Sequence, residues 1–97
     1  MRRLVWSPRA IRDLEAIRAH ITLDSPAYAE LVVQRLVHAP ERLQQFPESG
    51  RIVPERNQAD LREVILPPFR IVYRLQGDAV EIVTVFRATR LLPNISE

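Results

Sequence analysis

A chain of 97 residues, 46% apolar and 27% charged, has the composition of one globular domain and excludes a disordered tail as its main description. By size scaling about two-thirds of the unfolded surface is buried on folding, enough for one modest core. With no cysteine, disulfides and thiolate metal sites are excluded, and a net charge of +2 excludes a polybasic protein. All 14 basic side chains are Arg, a side chain suited to bidentate carboxylate or phosphate contacts. No apolar run approaches the ~18 residues of a membrane span. Met1 to Trp6 lacks the apolar stretch of a signal peptide, so a cytoplasmic location is expected.

Leu4-Val5-Trp6 reads as a first strand. Ser7-Pro8 follows as an N-cap with Pro at the first helical position. Ala10, Leu14, Ile17 and Ile21 recur at helical spacing, predicting an amphipathic helix of about four turns. Asp24-Ser25-Pro26 repeats the start signal. A second helix follows on Tyr28, Leu31, Val32, Arg35, Leu36 and Ala39, continued by Leu43 and Phe46. The near absence of a linker predicts a helical hairpin. Pro40 lies inside the second pattern and should kink or restart the helix. Phe46 to Gly50 ends it.

Ile52-Val53-Pro54 is short and extended, and Glu55 to Asp60 is a polar loop. Leu61 to Leu66 is a strand closed by Pro67-Pro68. Arg70 to Leu75 and Val80 to Phe86 are the strands of a hairpin turning at Gln76-Gly77-Asp78. The order is strand, helix, helix, three strands. It predicts an α+β domain over residues 1–97, a small antiparallel sheet with the helical hairpin packed on one face.

Period-two alternation places Ile71, Tyr73 and Leu75 with Val80, Ile82, Thr84 and Phe86 against the helices. Arg70, Val72 and Arg74 then point the other way with Glu81, Val83, Val85 and Arg87. Val side chains exposed among Arg predict a surface that another molecule covers.

The run from Leu61 to Leu75 resembles the central strands of the RelE/ParE toxin superfamily. So does Val80 to Arg87, leading into Arg90-Leu91-Leu92-Pro93. Trp6-Ser7-Pro8 with Ala10, Leu14 and Ile17 matches the start of that family, and Phe46 to Arg51 matches its turn after the helical hairpin. The resemblance covers nearly the whole chain and implies a toxin of a type II toxin–antitoxin pair. Its partner would be a cognate antitoxin. Contact with DNA would come only through that antitoxin, and none with membrane. The implied antitoxin segment would lie over Arg70, Val72, Arg74, Val83 and Val85.

The superfamily splits into ParE-like poisons of DNA gyrase and RelE-like nucleases that cut mRNA in the ribosome. Metal-free RNA cleavage needs a base, an acid and a cation for the phosphorane. Arg70 matches the Arg of RNA-cutting members, and Glu55 is the candidate base. The His-Tyr pair that YoeB-like nucleases carry after the last strand is replaced here by Thr89 and Arg90, neither a useful acid. The expected function is therefore a ParE-like gyrase inhibitor, without catalytic residues or cofactor. The expected target contacts are Arg87, Arg90, Leu91 and Leu92. The alternatives are a RelE/YoeB-like mRNA endonuclease, with the ribosome and mRNA as partners and Arg70 and Glu55 as catalytic residues, or an inactive antitoxin-binding relative. His20 and His38 would give at most two metal ligands, a weak site, and no metal is expected.

Overall fold

The structure is a computed structural model that describes residues 1–95; the last two residues of the expected 1–97 domain lie outside it. Strand β1 (Arg3–Trp6) leads into α1 (Pro8–Thr22). The Ser7 hydroxyl accepts from the Ala10 N–H at 3.0 Å, a cap worth about 1 kcal/mol. Helix α2 (Pro26–His38) starts the same way, with Ser25 Oγ accepting from the Tyr28 N–H at 3.2 Å. Pro40 has no N–H to continue the α ladder, and a 3-10 helix takes over from Ala39 to Gln44.

Four more strands follow: β2 (Arg51–Ile52), β3 (Leu61–Leu66), β4 (Phe69–Gln76) and β5 (Ala79–Arg87). They form one sheet in the order β1-β5-β4-β3-β2. The α+β class and the helical hairpin on one face stand as expected. The sheet, however, is mixed: β1 runs parallel to β5, with Leu4 beside Val80 and Trp6 beside Ile82. The tight β3–β4–β5 connections fill the middle of the sheet, so β1 takes the outer edge of β5.

The main core lies between helices and sheet. It joins Ala10 and Leu14 of α1, Val32 and Leu36 of α2, and Leu43 to Val64, Ile71, Tyr73, Ile82 and Val85. The buried stripe of α2 is Ala29, Val32, Val33 and Leu36, turned away from the expected Tyr28 and Leu31, which stay partly exposed. Phe46, also expected in this core, is exposed.

A β-bulge redistributes the side chains of β5. Ile71 pairs with Val85 and Val72 with Thr84, but Tyr73 pairs with Ile82, leaving Val83 as the extra residue. Val80 and Ile82 face the helices as alternation predicts. Past the bulge the parity flips: Val85 enters the helix-side core and Phe86 joins the opposite face. The helix start satisfies the bulged strand. Ser7 Oγ donates to the Val83 carbonyl at 3.0 Å, and Asp13 Oδ2 accepts from the Val85 N–H at 3.0 Å and the Thr84 hydroxyl at 2.5 Å.

The opposite face is covered by the chain itself. Val53, Leu61, Val72, Val83 and Ile95 form a second buried cluster, with Phe86 and Leu92 packed against it. The expected open Arg/Val surface is therefore closed: Val72 and Val83 lie under the tail, and Val85 is on the other side of the sheet.

Candidate functional site

Three neighbouring strands and one loop bring four charged side chains together. Arg70 on β4 is 7% exposed at its side chain. Its Nη1 and Nη2 grip the Glu55 carboxylate at 2.9 and 2.8 Å, a bidentate pair. Its Nε donates to Glu63 Oε1 at 2.7 Å, and Glu63 Oε2 accepts from Arg51 Nε at 2.5 Å. The guanidinium also lies 4.8 Å from the Phe86 ring centre. The paired guanidinium holds the Glu55 carboxyl well below its usual range, at about 2, with the Leu92 N–H adding to the effect. The hydrogen bonds to Glu55, ahead of those to Glu63, hold the Arg70 proton more firmly than usual. Glu55 and Arg70, chosen from the sequence as a base and a phosphate ligand, are thus joined to each other. A carboxylate with so low a pKa is a weak proton acceptor near neutral pH.

The tail after β5 is pinned through its main chain. The Ala88 N–H donates to the Pro68 carbonyl at 2.8 Å, and Arg70 Nη1 donates to the Arg90 carbonyl at 3.3 Å. The Leu92 N–H donates to Glu55 Oε2 at 2.9 Å, and Arg9 Nη1 to the Asn94 carbonyl at 3.0 Å. Ile95 then plugs the second cluster. Anchoring at alternate residues leaves the Arg87, Arg90 and Leu91 side chains outside, with Leu91 80% exposed. Leu92, expected with them as a target contact, is turned inward.

A groove runs beside this tail on the helix side. Two adjoining hollows of about 340 and 370 Å³ share His20, Ile21, Phe69 and Arg87 as walls. The first continues along Arg9, Asp13, Arg90, Leu91 and Pro93, the second along Tyr28, Val32, Arg35, Leu66 and Pro68. The floor is apolar and the rim is richer in Arg than in carboxylates. Arg87 sits at the junction, 5.5 Å from the Phe69 ring centre.

The structure therefore separates the expected sites. Arg70 and Glu55 meet in the buried network. Arg87, Arg90 and Leu91 form a tail surface that borders a groove. Val72 and Val83 are core, and Arg74 lies on β4 opposite Glu81. His20 and His38 do not meet: His20 is in the last turn of α1 and His38 ends α2, about 15 Å away along the hairpin by helical rise. Among the described residues no group of three or more His, Asp or Glu is placed to hold a metal ion. No described helix is long and apolar enough to cross a membrane. Sequence reasoning missed Glu63 and Asp13. The available signal for Glu63 was a lone carboxylate within the apolar strand Leu61–Leu66. Asp13 gave none, since an acid in an early helical turn is ordinary.

Residues 4–92 match the family described as "ParE toxin of type II toxin-antitoxin system, parDE". The chain is 40% identical over 92 residues to "Toxin RelE2" of Caulobacter vibrioides, covering 94% of this chain and 100% of that protein. It is 40% identical over 96 residues to "Putative toxin Y4kP" of Sinorhizobium fredii, covering 97% and 96%. Among solved structures it resembles a chain of the chromosomal ParDE toxin–antitoxin system of P. aeruginosa, at TM-score 0.76 and 31% identity over 90% of this chain and 96% of that one. The toxin–antitoxin complex RelBE2 of Mycobacterium tuberculosis shares the fold, at TM-score 0.58 and 19% identity over 89% and 96%. With helical hairpin, mixed sheet and sequence match in agreement, the chain belongs to the ParE toxin family of type II toxin–antitoxin systems.

Proposed function

We propose that this toxin acts on DNA gyrase by stoichiometric binding, and that a cognate antitoxin silences it by filling the groove beside the tail. The observation that carries the reading is the Glu55–Arg70 pair. The two side chains best suited to metal-free RNA cleavage are bonded to each other, and Thr89-Arg90 stands where an acid would be needed. What remains exposed is a binding surface of Arg87, Arg90 and Leu91.

The groove supports the antitoxin half of the proposal. Its apolar floor and Arg-rich rim fit an amphipathic acidic segment, with apolar side chains over Phe69 and Val32 and carboxylates near Arg35, Arg87 and Arg90. A segment seated there covers the tail side chains as well, so neutralisation follows from occupancy alone.

The test is plasmid supercoiling by purified gyrase with a titration of toxin. Loss of supercoiling at toxin amounts comparable to gyrase, reversed by antitoxin, is expected. Arg87→Ala with Arg90→Ala should abolish the effect in a folded protein. No effect from folded toxin, together with cleavage of mRNA on programmed ribosomes, would overturn the reading. The Arg-rich tail also suits a phosphate backbone, so mRNA cleavage is the second reading.

A further inference from the structure

We infer that Glu55 and Arg70 are positioning residues of the toxin, which hold the segment from Arg90 to Leu92 in the one shape that presents Arg87, Arg90 and Leu91 together. The inference rests on the proposal that this tail meets the target.

The tail has no secondary structure to fix it beyond β5, and Arg90 to Leu92 make no strand pairing. A free coil here would lose entropy on meeting a partner, which weakens binding. The ion pair removes that cost beforehand. One carboxylate, Glu55, holds β4 through Arg70 and the tail through the Leu92 N–H. One guanidinium, Arg70, holds the polar loop through Glu55 and the tail through the Arg90 carbonyl. Each partner thus touches the tail at a main-chain atom two residues from the other's contact. The exposed Leu91 side chain sits between the two contacts.

The pair is more than a general brace of the sheet. Glu63, itself held by Arg51, already pairs with Arg70 and fixes it from the β3 side. Glu55 adds the link from that frame to the tail. Its removal should therefore loosen the tail while the sheet keeps its pairing.

The test compares Glu55→Gln, which keeps the shape and loses the charge, with Glu55→Asp, which keeps the charge. Amide hydrogen exchange reads the tail directly. In Glu55→Gln, exchange at Leu92, whose N–H bonds Glu55, should rise at least about tenfold while β4 and β5 amides stay protected. Toxin potency, read as growth arrest on induction and as gyrase inhibition, should fall at least about tenfold. Glu55→Asp should fall between the two on both readouts. Unchanged tail exchange overturns the inference, as does a loosened tail with full potency. Loss of protection throughout β4 and β5 shows a general brace and overturns it too. If wild-type toxin spares gyrase yet arrests growth, the gyrase reading fails, and growth arrest still decides the positioning role. A wild-type chain that arrests nothing overturns both.

Discussion

Tyr73 and Gly50 are locked together across the edge of the main core: the Gly50 N–H donates to the Tyr73 hydroxyl at 3.0 Å, and that hydroxyl donates to the Pro47 carbonyl at 2.7 Å. A Cβ at Gly50 would stand 2.5 Å from the Tyr73 hydroxyl and 2.6 Å from the Glu63 carbonyl, closer than any real contact. Gly50→Ala should therefore cost about 2–3 kcal/mol by overpacking. Tyr73→Phe should cost about 1–3 kcal/mol by leaving the Gly50 N–H and Pro47 carbonyl unpaired. Urea unfolding measures both. Burial also raises the Tyr73 hydroxyl above its usual 10.0. A raised folded value adds stability below pH 10.0 that is lost as the pH climbs through it. Tyr73→Phe should be free of that alkaline loss.

Acid should weaken the protein through Glu55. Its folded value of about 2 lies below the ordinary 4.5, so its pairing stabilises the protein fully above pH 4.5 and is lost as the pH falls toward 2. Melting temperature should drop across that window in the wild type and be flatter in Glu55→Gln. Parallel curves for the two proteins would show that the pair contributes nothing to acid stability.

The second cluster gives a packing prediction. Val83 is 5% exposed and Ile95 3% exposed, on a face that alternation alone leaves open. Val83→Asp buries an unpaired carboxylate and should destabilise by about 3 kcal/mol or more. Ile95→Ala should cost about 2 kcal/mol and lower the protection of tail amides. A wild-type melting curve for Ile95→Ala would mean that the tail does not cover the sheet in solution.

The groove should separate antitoxin binding from stability. Tyr28 is 52% exposed on its wall, and Arg35 stands on its rim. Tyr28→Ala with Arg35→Glu should change stability by less than about 1 kcal/mol, as surface substitutions do. The same pair should weaken antitoxin binding at least about tenfold by titration calorimetry, since an aromatic anchor and a complementary charge are lost together. Unchanged affinity would place the antitoxin elsewhere.

Much of this fold was legible from local signals. Ser7-Pro8 and Ser25-Pro26 mark the starts of both helices, and Gly77-Asp78 marks the β4–β5 turn, because caps and tight turns are decided by neighbours in the chain. The bulge at Val83 was not legible. Alternation assumes an unbroken ladder, and one extra residue transferred Val85 and Phe86 to opposite faces. The covering tail escaped for a related reason: Leu91 to Ile95 has no periodicity, and its burial depends on a face built far away in sequence. Arg70 and Glu55 stood out by residue type. That they bind each other depends on a loop whose path the sequence does not encode locally.

The parallel pairing of β1 with β5 sets when this protein can become harmful. Arg3 waits for Ala79 and Trp6 for Ile82, so the first strand has no partner until the last has been made. Such distant pairing delays folding. A chain cut short before residue 79 lacks β5, the filler of the helix-side core at Ile82 and Val85, and every exposed Arg of the tail. Truncated translation products of this toxin should therefore be inert, and the cell meets the danger only with the final fifth of the chain.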